Sequence, residues 1–300
     1  MSRITPIAER KGWPWEPPRL DGDWLDAQYN SRARIPEHPR IFERWARDSA
    51  AVRERYARRI DVRYGPGDHE TLDVFPTTRA NAPVLFFIHG GWWRSLDKSD
   101  HSFIVPAFVD AGVMVVVVNY GLAPGVSIEQ IALQMTQALA WAWRKVERYG
   151  GSRKRIVLAG HSAGAHLATM LLGCDARLLG DDLPSHIATR ALAISGVYEL
   201  EPLRRAPFLK DDLNLTPRAV ARLSPARWAP PRGARVYAMA GALESEEFLR
   251  HNALLCAAWG SRAVALCDTV AGANHLDVLD HLAAPDGRLH ALALQLLRQD

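Results

Sequence analysis

Ile156-Val157-Leu158-Ala159 runs directly into Gly160-His161-Ser162-Ala163-Gly164 and then into the small, apolar stretch 165–172. A strand that breaks at G-x-S-x-G and re-emerges as a helix has few ways to fold. Glycines on both sides of the serine permit a turn so tight that the hydroxyl oxygen stands clear of the backbone. The helix that follows points its N-terminus, where anionic charge is favoured, at that oxygen. Glycine and serine are common enough that the five-residue pattern alone carries little weight. Its place between an apolar strand and a helix is what constrains the chain.

A second element upstream fits the first. Val84-Leu85-Phe86-Phe87-Ile88 is a continuous apolar run, as expected for a strand covered on both faces, and it ends in His89-Gly90-Gly91-Trp92-Trp93. Taken alone, Gly90-Gly91 is as well read as an ordinary turn. Ahead of a strand–G-x-S-x-G unit, it has the form of the HGG loop of lipases and esterases. There the N–H groups of Gly90 and Gly91, with that of Ala163, would form an oxyanion hole.

At 300 residues and 48% hydrophobic, the chain can bury a sizeable core. Its net charge of +4 comes mostly from scattered arginines, with no lysine-rich run, so no nucleic-acid partner is expected. Cys174, Cys256 and Cys267 are an odd number without metal-ligand spacing, and reduced thiols are expected rather than a disulfide framework. Residues 1–19 hold prolines, tryptophans and charges but no apolar signal core, and no 18-residue apolar stretch occurs. The expectation is a cytoplasmic protein that binds no membrane and acts on a small molecule, with a homodimer as one conceivable assembly.

Residues 1–58 read as an N-terminal arm packing on the main domain, with Trp13, Trp15, Trp24 and Trp45 as packing residues and helix-forming composition over 41–59. From 59 to 300, strands and helices alternate. The segments 60–64 and 71–75, joined by Gly65-Pro66-Gly67, look like an antiparallel hairpin. A helix is expected near 101–110, a central strand at 113–118 and a long amphipathic helix over 127–149. Further strands fit at 155–159, 191–195, 235–240 and 263–268, with helices around 246–259 and 286–298. The fold class is α/β: a mostly parallel central sheet with helices on both faces. The Pro- and Arg-rich segment at about 197–231 suggests a small inserted cap over the sheet's C-terminal edge, where open α/β sheets bind ligands.

A serine hydroxyl needs a general base that is itself held by a carboxylate, and in α/β-hydrolases the chain order is serine, acid, histidine. Beyond residue 251 only His275, His281 and His290 remain. His275, in Gly272-Ala273-Asn274-His275, follows the last predicted strand on a loop and is the expected base. His281 and His290 fall in helical sequence and read as surface or packing residues. The acid should lie just past the strand before last. Glu244 is nearest that strand end and is chosen, with Asp268 in reserve. Glu246 and Glu247 read as solvated charges, and Asp277 lies so close to His275 in sequence that it should face away.

With these elements in place, the chain resembles the kynurenine formamidase (arylformamidase) branch of the α/β-hydrolases, close to the hormone-sensitive-lipase-like esterases. The resemblance runs from about residue 24 to 298. It rests on His89-Gly90-Gly91-Trp92-Trp93, Asp97-Lys98, Asn119-Tyr120-Gly121-Leu122-Ala123-Pro124, the GHSAGAHL stretch at 160–167, Ser195-Gly196-Val197-Tyr198, Glu244-Ser245-Glu246-Glu247-Phe248 and Asn274-His275. One departure is Glu244, since the acid of such enzymes is more often Asp. The likeness implies a cofactor- and metal-independent serine hydrolase that removes small acyl groups from aryl amides such as N-formylkynurenine. A carboxylesterase for short acyl esters is the alternative. Trp92, Trp93 and Tyr120 would contact substrate, although the two tryptophans could equally be the packing surface of the cap. A binding protein on an inactivated hydrolase scaffold is disfavoured, because serine, histidine and a carboxylate are all retained.

Overall fold

The computed structural model describes residues 14–17, 19–56 and 59–298; Trp13 lies outside them. Eight strands form one sheet: β1 (Arg59–Arg63), β2 (Thr71–Phe75), β3 (Ala82–Ile88), β4 (Met114–Val118), β5 (Gly151–His161), β6 (Arg190–Ile194), β7 (Arg235–Gly241) and β8 (Val264–Val270). Their spatial order is β1-β2-β4-β3-β5-β6-β7-β8. The β1–β2 and β2–β4 pairs are antiparallel, and every other pair is parallel. This is an α/β-hydrolase fold.

Alternate side chains of the central strands point to opposite faces, so both faces must be covered. Val84, Phe86, Ile88, Met114, Val116 and Val118 join one core, and Leu85, Phe87, Val115 and Val117 join the other. The first is closed by α5 (Ile128–Lys145), α6 (Ala163–Leu172) and α10 (Glu246–Ala263), together with α1 (Gly22–Tyr29). The second is closed by α3 (His38–Tyr56), α4 (Val105–Asp110) and α12 (Arg288–Arg298). Helix α5 starts in a capping box between Ser127 and Gln130 and ends four residues short of the predicted span, where 146–149 tighten into a 3₁₀ turn before Gly150. Strand β5 begins earlier than its apolar run, because Gly151 pairs with Ala82 through a polar stretch. Between β6 and β7 lie three short helices, α7 (Glu201–Arg205), α8 (Pro207–Leu213) and α9 (Pro217–Leu223), within the segment expected to form the cap.

The chain ahead of the sheet is tied to it by buried charge. Tyr29 Oη donates to Glu247 Oε2 at 2.5 Å, and Glu247 accepts from Arg250 Nε at 2.7 Å and Nη2 at 2.8 Å. Arg250 Nη1 then reaches the Pro14 carbonyl at 3.0 Å. Tyr29, Glu247, Arg250 and His251 are all fully buried. His251 Nδ1 accepts from the Tyr198 N–H at 3.2 Å, so its Nε2–H donates to Tyr29 Oη at 2.9 Å. Glu247 is thus no solvated charge, as its sequence context suggested, but the centre of a closed network. On the other face, buried Lys98 bridges Asp73 at 2.8 Å and Asp61 at 2.5 Å, and Arg53 from α3 reaches Asp73 at 3.1 Å.

The expectation of reduced thiols is corrected for two cysteines. Cys256 on α10 and Cys267 on β8 form a disulfide across 6.3 Å between their Cα atoms. The non-helical Gly260 near the end of α10 turns the chain back so that β8 runs beside the helix it follows. Cys174 stays a free thiol.

Replacing Glu247 with leucine should strand Arg250 as a buried, unpaired charge and cost about 3–5 kcal/mol. Tyr29→Phe, which removes one hydroxyl from the same network, should cost about 1–2 kcal/mol. Urea midpoints of the two variants check this order; equal and small losses would show that the network does not hold the arm.

Candidate active site

The C-terminal ends of β3, β5, β6, β7 and β8 converge, and each contributes to one cluster. Ser162 sits between β5 and α6 at φ 56°, ψ −119°, a conformation few non-glycine residues adopt. Its N–H is held by the Ile194 carbonyl at 2.8 Å. The flanking glycines are required by contact. A Cβ at residue 160 would lie 2.2 Å from the Gly164 carbonyl oxygen, and one at residue 164 would lie 2.0 Å from that of Ile88.

His275, on the loop after β8, brings Nε2 to within 3.1 Å of Ser162 Oγ, and its Nδ1–H donates to Glu244 Oε2 at 2.7 Å. The second carboxylate oxygen of Glu244 accepts from Ser195 Oγ at 2.5 Å and from the Gly241 N–H at 2.6 Å. The ring of His275 packs against Phe248 at 4.2 Å between centroids, and its carbonyl accepts from His161 Nε2 at 2.8 Å. Burial pushes the His161 pKa well down, so this ring stays neutral with its proton on Nε2. An imidazole held in this way can take a proton from a serine hydroxyl while its other N–H stays on the carboxylate.

The HGG loop lies against this serine. A Cβ at residue 90 would stand 3.0 Å from Ser162 Cβ. Gly91, Trp92 and Trp93 all have positive φ (109°, 55° and 55°), so the chain makes a left-handed turn that the Arg94 and Ser95 N–H groups close onto the Gly91 carbonyl. Among the described residues the N–H groups of Gly90 and Gly91 have no acceptor. That of Ala163 opens α6, where a helix offers none.

A family model described as BD-FAE matches residues 72–191. Kynurenine formamidase of Salmo salar is 31% identical over 173 residues, 57% of this chain, and the chain spans 56% of that relative's length. Kynurenine formamidase of Drosophila melanogaster is 28% identical over 286 residues, 89% of this chain and 93% of that protein. A solved structure from Silicibacter sp. tm1040 superposes with a TM-score of 0.77 at 29% identity, covering 89% of this chain and 97% of that one. The chain is an α/β-hydrolase similar to kynurenine formamidases.

In this formamidase-like hydrolase the other candidate acids are engaged elsewhere. Asp268 is half-exposed and paired with Arg288. Asp277 accepts from the backbone N–H and side-chain amide of Asn274 at 2.6 and 2.8 Å. His290 packs on Phe108 and contacts the carbonyls of Pro285 and Ala107.

The three residues expected to contact substrate all pack within the protein. Tyr120 is fully buried, stacks on His89 at 4.3 Å and spends its hydroxyl on the carbonyls of His89 and Gly90 at 3.0 and 3.3 Å. It props the glycine loop from beneath. Trp93 is fully buried and meets His166 edge-on at 5.0 Å. Trp92 meets Phe208 of α8 edge-on at 5.9 Å, the packing alternative for these indoles. Sequence reasoning missed Ser195 and Phe248 as supports of Glu244 and His275, although both stand in motifs that carried the resemblance. It also missed Tyr29, whose ring lies 5.9 Å from Trp92 and 6.0 Å from Phe248.

His89, His101, His161, His166 and His251 are buried, and burial lowers each pKa, to about 3 for His101 and about 4 for His166. The unfolded chain protonates these rings below about pH 6.5 and the folded chain does not. The unfolded state therefore binds more protons there, and stability falls as pH falls. Thermal melts should be level between about pH 7 and 8 and decline steadily from about 6.5 toward 4. A melting temperature that stays constant down to about pH 4.5 would contradict neutral burial of these rings.

Proposed function

We propose that this hydrolase removes a small acyl group, formyl above all, from an aromatic amide of the N-formylkynurenine type. Ser162 is the nucleophile, His275 the general base and acid, and Glu244 the carboxylate that orients His275. The N–H groups of Gly90, Gly91 and Ala163 hold the oxyanion. Ser162 Oγ bonds to the formyl carbon as its proton passes to His275 Nε2. The C–N bond then breaks as that proton moves to the departing amine. Water, deprotonated by His275, attacks the formyl ester; the C–O bond to Ser162 breaks, the serine recovers its proton and formate leaves. No metal takes part in these steps.

The observation that carries this reading is how fully the space around the oxyanion loop is filled. Trp93 has no exposed surface, and Trp92 is wedged among Tyr29, Phe208 and Phe248. Beyond the carbonyl carbon of a bound substrate there is thus little room for an acyl chain, and a formyl carbon needs none. An amide also depends on a protonated leaving group, which a well-held His275 supplies.

Ser162→Ala should lower kcat by at least about 10³-fold with unchanged folding, because nucleophile and base act as a unit. Glu244→Gln should lower kcat by about 10³- to 10⁴-fold, while Asp268→Asn should be nearly silent. The reverse pattern would transfer the acid role to Asp268, and activity lost on chelation would end the metal-free mechanism.

Substrate choice follows from the same packing. The kcat/KM for N-formylkynurenine should exceed that for p-nitrophenyl acetate, and butyryl esters should be poorer still. A rate that rises from acetate to butyrate, with no formate released from the formamide, would make this protein a carboxylesterase.

A further inference from the structure

The turn that follows Gly90 is strained and is held from two sides. Gly91, Trp92, Trp93 and Leu96 all have positive φ, and for the three that are not glycine this conformation persists only where the surroundings over-determine it. Much of the hold falls on one atom, the Gly91 carbonyl oxygen. It accepts from the Arg94 N–H at 3.1 Å, the Ser95 N–H at 3.0 Å and Ser95 Oγ at 3.0 Å. The two ends of the turn are in backbone contact, since a Cβ at residue 91 would lie 2.0 Å from the Ser95 carbonyl oxygen.

Side chains carry this hold to neighbouring elements. Arg94 donates from Nη1 to the Phe208 carbonyl at 2.7 Å and pairs with Asp212, which ties the turn to α8. From the arm, Arg32 in α2 (Ser31–Arg34) donates from Nη2 to Ser95 Oγ at 2.8 Å. A guanidinium has only donors, so the single hydroxyl proton of Ser95 goes to the Gly91 carbonyl, and the relay Arg32–Ser95–Gly91 has one direction. Ion pairing does not explain Arg32. It makes no ion pair and no other hydrogen bond among the described residues, and burial and the like charge of nearby Arg94 lower its pKa. The Phe42 ring of α3, 5.3 Å from its Cζ, holds the guanidinium in place, and the Asn30 side chain caps α2 by accepting from the Ala33 N–H at 3.2 Å.

We propose that Arg32 is a positioning residue for the oxyanion hole: through Ser95 it fixes the Gly91 carbonyl, and so the backbone angles of a residue whose N–H faces the oxyanion. This rests on the reading of Ser162 as nucleophile and of Gly90 and Gly91 as oxyanion donors. A rotated Gly91 misaims a donor whose worth depends on its alignment. The arm thereby takes part in catalysis without touching the substrate.

Steady-state kinetics with N-formylkynurenine and p-nitrophenyl acetate test the relay in the wild type, Arg32→Ala, Ser95→Ala and the double variant. Arg44→Ala, which breaks a half-exposed pair with Asp280 elsewhere on the arm, controls for general loosening. Circular dichroism melts establish that each variant is folded. Loss of a whole oxyanion donor costs about 10²- to 10³-fold, so a misaimed one should cost less: Arg32→Ala and Ser95→Ala should each lower kcat about tenfold, with KM changed less than about twofold. The double variant should also lose about tenfold, because both substitutions break one relay, and Arg44→Ala should keep the wild-type kcat. A wild-type kcat in Arg32→Ala, a loss of about a hundredfold in the double variant, an effect confined to KM, or an equal loss in Arg44→Ala overturns the positioning role. Failure of the underlying reading has a separate signature: a wild type that hydrolyses neither substrate, or a Ser162→Ala variant that keeps its activity, overturns both.

Discussion

Helix α6 can lie on β3 only because residue 164 has no side chain, and the rest of the site is placed by that approach. A methyl group there would sit 2.0 Å from the Ile88 carbonyl oxygen, well inside contact distance. With the helix so close, the chain leaving β5 has one residue in which to turn, and Ser162 takes up a backbone conformation that costs about 1–2 kcal/mol. Every residue of α6 is buried, and that burial more than offsets the strain. The approach also fixes the distance between Ser162 and the loop at the end of β3. Backbone packing, rather than any bond between side chains, sets the glycine loop beside the serine oxygen.

A second restraint couples the arm to His275. The first turn of α10 presents Glu247 to Tyr29 on one side and Phe248 to the His275 ring on the other. Ser245 caps this turn by accepting from the Phe248 N–H, and Gln28 accepts from the Glu247 N–H at 3.3 Å. A shift of α1 therefore moves the same helical turn that supports His275. The network is fully buried and centred on the Glu247–Arg250 ion pair, so it tolerates little intermediate displacement: an ion pair half withdrawn loses attraction without regaining solvent. The arm and the loop that carries His275 are in this sense one mechanical unit.

The strands and the turn at Ser162 were legible because they are written in local sequence. Apolar runs such as 84–88 and 114–118 carry their own burial, and the glycine at 160 reports a contact made within five residues, with Gly164. His275 was legible by position, as the loop histidine after the last strand. What could not be read depends on pairs distant in sequence. Glu247 looks like a solvated helix-start charge until Tyr29 and Arg250 meet it, and nothing near residue 247 announces a partner at residue 29. The Cys256–Cys267 disulfide is hidden for a related reason, since it needs the backward turn at Gly260. The place of Tyr120 beneath the glycine loop could not be read either, because an aromatic in a loop motif gives no sign of which face it turns to the core.

Glutamate rather than aspartate beside His275 has a geometric reason. Position 244 lies three residues beyond the end of β7, and its own N–H is turned back to the Gly241 carbonyl at 3.2 Å. From there the side chain must return over the turn to place Oε1 on the Gly241 N–H and Oε2 on His275, while Oε1 also takes the Ser195 hydroxyl. Three donors on two oxygens spread the carboxylate's charge without neutralising it, which keeps it an acceptor for the imidazole. An aspartate is shorter by one methylene, about 1.5 Å, and could satisfy the strand-end N–H or the histidine but not both without moving the loop. The longer acid and the tight turn at 241–244 therefore belong together, and exchanging one calls for rebuilding the other.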